Sequence, residues 1–192
     1  MNRIKSVVVS GGFDPIHVGH LRMFKEASEL APRLIVVVNN DNFLMQKKSY
    51  VFMPITERME IIKSFGMVDK VVESIDMDLT VCKTLEWLAK EENIQIFANG
   101  GDRNSKDDIS EAEVCEQNNI RLEFNIGGGK IQSSSSLVSN EVIKPWGSYK
   151  IFEQDKGFLV KRITVAPGEI LSLQSHKHRS EHWLVTSGVA TV

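Results

Sequence analysis

Between a run of three valines and an amphipathic stretch lies the segment Ser10-Gly11-Gly12-Phe13-Asp14-Pro15-Ile16-His17-Val18-Gly19-His20. Two imidazoles three positions apart share one face of a helical turn. Glycines ahead of them let the backbone turn tightly and come close to a ligand. A helix start adds N–H groups and a partial positive charge aimed at an anion. Glycine turns with capping histidines are the plainer reading. The His-x-Gly-His spacing at a strand-to-helix junction favours a site for a phosphate-rich ligand instead.

Further segments carry compatible chemistry. Gln46-Lys47-Lys48-Ser49-Tyr50 reads as a basic loop after the second strand, which is commonly just solvated. Glu57-Arg58 opens a helix, where Arg58 can either reach a phosphate or close a helix salt bridge. Asn99-Gly100-Gly101-Asp102-Arg103 follows the fourth strand, and Lys130 precedes the run Ser133-Ser134-Ser135-Ser136 at another helix start. Serine hydroxyls there can cap the helix or hold phosphate oxygens.

The elements around these segments alternate. β-Branched runs at 7–9, 34–38, 68–72, 94–98 and 121–126 read as buried strands. Helical spacing links Leu21, Phe24, Ala27 and Leu30, then Met59, Ile62 and Phe65, then Val81, Leu85 and Leu88. Pro54 marks a helix start and Gly66 its stop. Further helices are expected over 109–117 and 134–143. This alternation predicts an α/β fold, a Rossmann-like doubly wound five-stranded parallel sheet covered on both faces. Such sheets bind ligands at the carboxyl ends of their strands, where the segments above fall.

After Lys144 the helical period disappears. Strands are expected over 149–153, 158–165, 170–174, 182–186 and 189–192, with turns at Pro167-Gly168 and Ser187-Gly188. The expected domains are therefore 1–143 and a partial all-β segment, 144–192.

The 192 residues are 42% hydrophobic and 25% charged, as in ordinary soluble domains. A net charge of -2 argues against a nucleic-acid partner. The valines at 7–9 are too short a run for a signal peptide or membrane span, so a cytoplasmic chain with no membrane partner is expected. Cys82 and Cys115 lack metal-type spacing and read as free thiols.

The first segment resembles the HxGH signature of the cytidylyltransferase-like nucleotidyltransferase superfamily. The resemblance extends over residues 5–143 and implies that His17 and His20 contact the triphosphate and stabilise the transition state at the α-phosphate. It implies nucleotide contacts from Gly11, Gly12, Phe13, Asp14, Gly19, Gly100, Gly101, Asp102, Arg103, Lys130 and Ser133 to Ser136. Lys47 and Arg58 would hold the substrate phosphate. The Lys47 segment is similar to glycerol-3-phosphate cytidylyltransferases and the Gly100-Gly101-Asp102 segment to heptose-phosphate adenylyltransferases. The implied reaction joins a nucleoside monophosphate from an NTP, CTP or ATP, to a small phosphorylated acceptor and releases pyrophosphate. Mg²⁺ would accompany the triphosphate, held by phosphates and water. Where cytidylyltransferases carry an arginine before the serine motif, this chain has Gly127-Gly128-Gly129-Lys130. Lysine there is a point charge rather than a bidentate fork.

The tail reads G-x5-Q-x-H-x4-E-x6-G from Gly168 to Gly188. With Lys144-Pro145-Trp146-Gly147-Ser148-Tyr149 and Ser180-Glu181-His182-Trp183, it resembles the type II mannose-6-phosphate isomerase cupin at the end of mannose-1-phosphate guanylyltransferases. That resemblance implies Gln174, His176 and Glu181 as ligands of a Zn²⁺ in an incomplete site. It also suggests a sugar phosphate as the acceptor. Frequent dimers in the family and the open edge of a half-barrel make a homodimer a candidate assembly. Two other classes remain open: a non-catalytic binder of nucleotides or phosphate ligands, and a metal-binding cupin or isomerase fragment.

Overall fold

The computed structural model describes residues 4–100, 109–128, 133–138, 141–171, 177–178 and 180–190. The chain divides into two compact units, Met1–Asn140 and Glu141–Val192.

The first unit contains five parallel strands in the order β3-β2-β1-β4-β5. They are β1 (Lys5–Gly11), β2 (Arg33–Val38), β3 (Lys70–Glu73), β4 (Asn93–Gly100) and β5 (Arg121–Ile126). Alternation along each strand explains why both faces are covered. Val7, Val9, Val36 and Val38 enter one core with Met23, Phe24 and Ala27 of α1 (Val18–Ser28) and Ile62 of α3 (Ile55–Lys63). Val8, Ile35 and Val37 enter the other with Leu85 and Leu88 of α4 (Cys82–Glu91) and Cys115 of α5 (Ala112–Gln117). Each fully buried aliphatic or aromatic side chain contributes about 1.5–3 kcal/mol, which drives the helices onto the sheet.

The strand order reverses between β1 and β4. This is the switch point at which connections leave in opposite directions and open a crevice above the strand ends. Polar clamps fix the loops around it. Asn40 caps α2 (Asp41–Lys48) by accepting from Phe43 N, and its Nδ2 donates to the Ser74 and Asp76 carbonyls at 2.9 and 2.8 Å. Asp76 accepts from Lys83 N and Thr84 N, and so holds the start of α4. At the opposite end of the sheet Glu92 pairs with Arg33 and Lys70, the first residues of β2 and β3.

The second unit is a three-stranded antiparallel sheet in the order β6-β7-β8, formed by Glu141–Lys144, Gly147–Asp155 and Phe158–Val165. Three expectations change. The last helix of the first unit, α6, covers only Ser134–Val138, and Glu141–Lys144 is strand instead. The β-branched pair Val142-Ile143 favours the extended ladder with β7 over helix. The boundary consequently falls at Asn140 rather than at residue 143. Among the described residues from 182 to 190 there is no strand. Residues 172–176, 191 and 192 lie outside the described set.

Candidate active site

The HxGH turn is built around its own backbone. His17 is the N-cap of α1, and its Nδ1 accepts from Gly19 N at 3.1 Å. His20 reaches back so that its Nδ1 accepts from His17 N at 3.2 Å. The two hydrogen bonds form a reciprocal capping box made of imidazoles. An accepting Nδ1 carries no proton, so in each neutral ring the proton sits on Nε2. The rings stack, with centroids 3.7 Å apart and planes 24° from parallel. Both rings therefore present an Nε2–H donor away from the helix backbone.

The helix start is correspondingly less open than the sequence implies. Gly19 N is used by His17 Nδ1, and His20 N donates to His17 O at 2.9 Å. Donors for an anion thus come chiefly from the imidazoles. Burial lowers the His17 pKa. Burial first, then the charges of His17 and Lys48, pulls His20 down to about 3. Both rings are neutral hydrogen-bond donors at neutral pH.

Gly19 explains why the motif needs a glycine between the histidines. A Cβ there would lie 2.9 Å from His17 Cε1 and 3.0 Å from Nδ1. At Gly12 a Cβ would meet Leu44 Cδ2 at 2.8 Å, so the loop packs directly on α2.

Two residues expected at the nucleotide have side chains that are buried and engaged within the protein. Phe13 is buried, and its ring packs edge-on against His20 and Phe24 at 4.9 and 5.2 Å. Its side chain supports the His20 imidazole from behind. Asp14 is 0% exposed, and its two carboxylate oxygens accept from Phe52 N and Met53 N at 3.0 and 2.6 Å. That carboxylate holds the segment before α3 rather than a ligand.

Arg58 is engaged by the protein as well. It is 0% exposed. Its Nε donates to Met53 O, Nη1 to both Gly12 O and Asn39 O, and Nη2 to the Asp41 carboxylate. Four of five guanidinium donors are committed. Of the two roles open to Arg58, the salt bridge is the one present, made to Asp41 of α2.

The basic pair behaves unequally. The segment expected to be a loop is the last turn of α2, closed by Ser49 in the left-handed conformation at φ 65°. Lys47 is exposed, with its ammonium 5.5 Å from the Phe43 ring centroid. Lys48 instead turns into the site: its Nζ donates to Asp14 O at 2.7 Å and lies 3.9 Å from the Asp14 carboxylate. Burial lowers its pKa, Asp14 opposes that, and Lys47 and Arg58 add to it. Lys48, which reading the sequence does not single out, is the lysine whose Nζ reaches the loop before α1. Recognising Ser49 as the helix end would have shown that the two lysines point about 100° apart.

The serine segment reaches the same loop. Ser134 Oγ donates to Pro15 O at 2.8 Å, and Ser133 and Ser135 lie beside it at the start of α6. Gly100 ends β4, with a Cβ position only 2.7 Å from Met23 Sδ of α1. Gly101, Asp102, Arg103, Lys130 and the Ser136 side chain lie outside the described residues.

Residues 8–125 match the cytidylyltransferase-like family profile, which is more than half of the chain. The chain belongs to the cytidylyltransferase-like family. Residues 132–192 match a second profile, the mannose-6-phosphate isomerase C-terminal family. Among curated relatives, the alginate biosynthesis protein AlgA of Pseudomonas syringae pv. tomato is 58% identical over 64 residues, 33% of this chain and 13% of that protein. Mannose-1-phosphate guanylyltransferase 2 of Escherichia coli O157:H7 is 48% identical over 64 residues, with the same coverage. The chain spans only 13% of the length of either relative. Among solved structures, a lipopolysaccharide core biosynthesis protein from Thermoplasma volcanium GSS1 superposes with a TM-score of 0.48 at 25% identity, covering 64% of this chain and 96% of that one.

In this cytidylyltransferase-like chain, the described residues contain no group of three or more His, Cys, Asp or Glu that could hold a metal ion. Of the expected zinc ligands, Gln174 and His176 lie outside the described residues. Glu181 is exposed, and its Oε2 accepts from Trp183 Nε1 at 3.1 Å. Both cysteines are free, and burial pushes the Cys115 thiol up to about 12, so it is inert as a nucleophile. Among the described residues, no helix is long and apolar enough to cross a membrane.

Proposed function

We propose that this chain transfers a nucleoside monophosphate from an NTP to a small phosphorylated acceptor, a sugar or polyol phosphate, and releases pyrophosphate. The observation that carries this reading is the imidazole pair whose Nδ1 atoms are both occupied by backbone N–H groups of one helical turn. That arrangement fixes two Nε2–H donors side by side before any ligand arrives.

In the reaction a phosphate oxygen of the acceptor attacks the α-phosphorus in line. The new P–O bond forms as the bond to the β-phosphate oxygen breaks, and pyrophosphate carries away the electron pair. A phosphate monoester is largely dianionic at neutral pH, with a second pKa of about 6. The nucleophile therefore needs no general base, and catalysis reduces to positioning and charge stabilisation. His17 and His20 donate hydrogen bonds to oxygens on which charge builds. Preorganised donors of this kind are each worth roughly 2.7–4 kcal/mol. Lys48 supplies positive charge beside them. Mg²⁺ would come with the triphosphate and offset its charge, held by phosphate oxygens and water. The serines from Ser133 to Ser136 would receive the far phosphates, together with Lys130. Gly100, Gly101, Asp102 and Arg103 would flank the nucleotide.

The base is left to experiment. The tail's likeness to the mannose-6-phosphate isomerase C-terminal family, and relatives named as guanylyltransferases, add GTP and mannose 1-phosphate to the pairs worth testing. The test is pyrophosphate release with Mg²⁺ for CTP, ATP and GTP against sugar and polyol phosphates. Release with a defined pair supports the reading. A folded, nucleotide-binding protein that is silent across the panel refutes it and leaves a non-catalytic nucleotide binder.

A further inference from the structure

Asn39 follows the last residue of β2, at the carboxyl end of the sheet, and is 6% exposed. Its main chain is clamped on both sides. Its N–H donates to Gly11 O at 2.9 Å, and its carbonyl shares Arg58 Nη1 with the Gly12 carbonyl, each at 2.7 Å. The neighbouring Asn40 amide spends its hydrogen bonds on Phe43, Ser74 and Asp76. The Asn39 side chain does not behave this way. Its Oδ1 is buried and has no hydrogen-bond partner, alone in that respect among the described residues.

Nearly every buried polar atom in a folded protein has a partner, and one without pays the loss of its water for nothing in return. An apolar residue at position 39 would avoid that loss. The register sharpens the point. Val37, two residues earlier on the same face, lies in the α4–α5 core, where hydrocarbon is the rule. An unpartnered amide oxygen gives nothing to the fold, and the main chain that carries it is bonded to Gly11, at the turn that leads into the imidazole pair.

We propose that Asn39 is a specificity-determining residue whose side-chain amide takes a hydroxyl group of the phosphorylated acceptor. The inference rests on the nucleotidyl-transfer reading above and gives that acceptor a required feature, a hydroxyl within reach of the phosphate. Oδ1 is buried as it stands, so binding the acceptor requires the amide to turn toward the strand ends. A site built to hydrogen-bond a substrate hydroxyl rejects the analogue lacking it far more strongly than a hydrophobic pocket rejects a missing methylene.

The test uses the whole chain and the substitutions Asn39→Ala and Asn39→Leu. Binding of glycerol 3-phosphate and of propyl phosphate, which lacks both hydroxyls, is measured by calorimetry, alongside the melting temperature of each variant. The wild type should prefer glycerol 3-phosphate at least tenfold. Asn39→Leu should bring that ratio to near one while the melting temperature holds or rises. Where turnover is measurable, KM for the acceptor rises and KM for the NTP is unchanged. An unchanged ratio, or a preference absent from the wild type, overturns the proposal. So does a variant that melts well below the wild type and keeps the ratio, since that is a structural asparagine. Binding discrimination is read without turnover, so a chain that discriminates yet releases no pyrophosphate refutes the enzyme reading and leaves the Asn39 assignment standing.

Discussion

Gly19→Ala isolates the geometry of the imidazole pair from its chemistry. The new Cβ would stand 2.9 Å from His17 Cε1 and 3.0 Å from Nδ1. Carbon pairs rest at about 3.5–4.0 Å, so the ring must retreat by roughly 0.5–1 Å. The retreat stretches the 3.1 Å bond from Gly19 N to Nδ1 and slides the ring off a partner 3.7 Å away. Displacing a catalytic group by about 1 Å costs on the order of 10²-fold in rate, or roughly 2.7 kcal/mol. Stability stays near level, because alanine's advantage over glycine in a helix, about 0.8–1 kcal/mol, offsets the weakened cap, worth roughly 0.5–2 kcal/mol. The assay is single-turnover pyrophosphate release with a melting curve on the same sample. The expected result is a near-hundredfold fall in the single-turnover rate with a Tm close to that of the wild type. A wild-type rate in Gly19→Ala would show that the histidines need not be held as the structure holds them.

Other predictions concern the supports of the site. Arg58→Ala leaves the Gly12, Asn39 and Met53 carbonyls and the Asp41 carboxylate without their donor, and should destabilise by about 3–5 kcal/mol in urea titration. Lys48→Ala should lower kcat/KM by about tenfold or more, about 1.4 kcal/mol; equal effects from Lys47→Ala and Lys48→Ala would undo the distinction between them. For His20 the folded pKa, about 3, lies below the unfolded value of 6.5. The unfolded chain therefore binds the proton first as pH falls. Stability is full above pH 6.5 and declines from there toward pH 3, at up to roughly 1.4 kcal/mol per pH unit from this residue. Denaturant melts of wild type and His20→Gln between pH 7 and pH 4 should show the slope in the wild type and a shallower one in the variant.

Reading the sequence recovers what local pattern determines. The strand valines and isoleucines announce a sheet buried on both faces, because consecutive residues, which point to opposite faces, all have to be apolar. The HxGH turn is legible for the same reason, since its hydrogen bonds stay within four residues. The roles of Asp14 and Arg58 are not local. Asp14 bonds to Phe52 and Met53, and Arg58 reaches back to Gly12, so only the folded loops reveal them as supports. The helix α2 escapes notice because it is short and buries only Phe43 and Leu44. Resemblance points to Lys47 there, and only the helix shows that Lys48 is the lysine turned inward. At the far end, Val142 and Ile143 fall in a stretch that reads as helix, yet the ladder with β7 decides their conformation.

The central claim is that paired Nε2–H donors from His17 and His20 make this chain a nucleotidyltransferase. The most direct measurement is pyrophosphate release by the wild type, His17→Ala and His20→Ala with the NTP and acceptor pair that gives turnover. The account predicts turnover in the wild type, and a loss of at least a hundredfold in each variant while the fold and nucleotide binding persist. Full activity in either variant, or a wild type that binds nucleotide and never releases pyrophosphate, would contradict it.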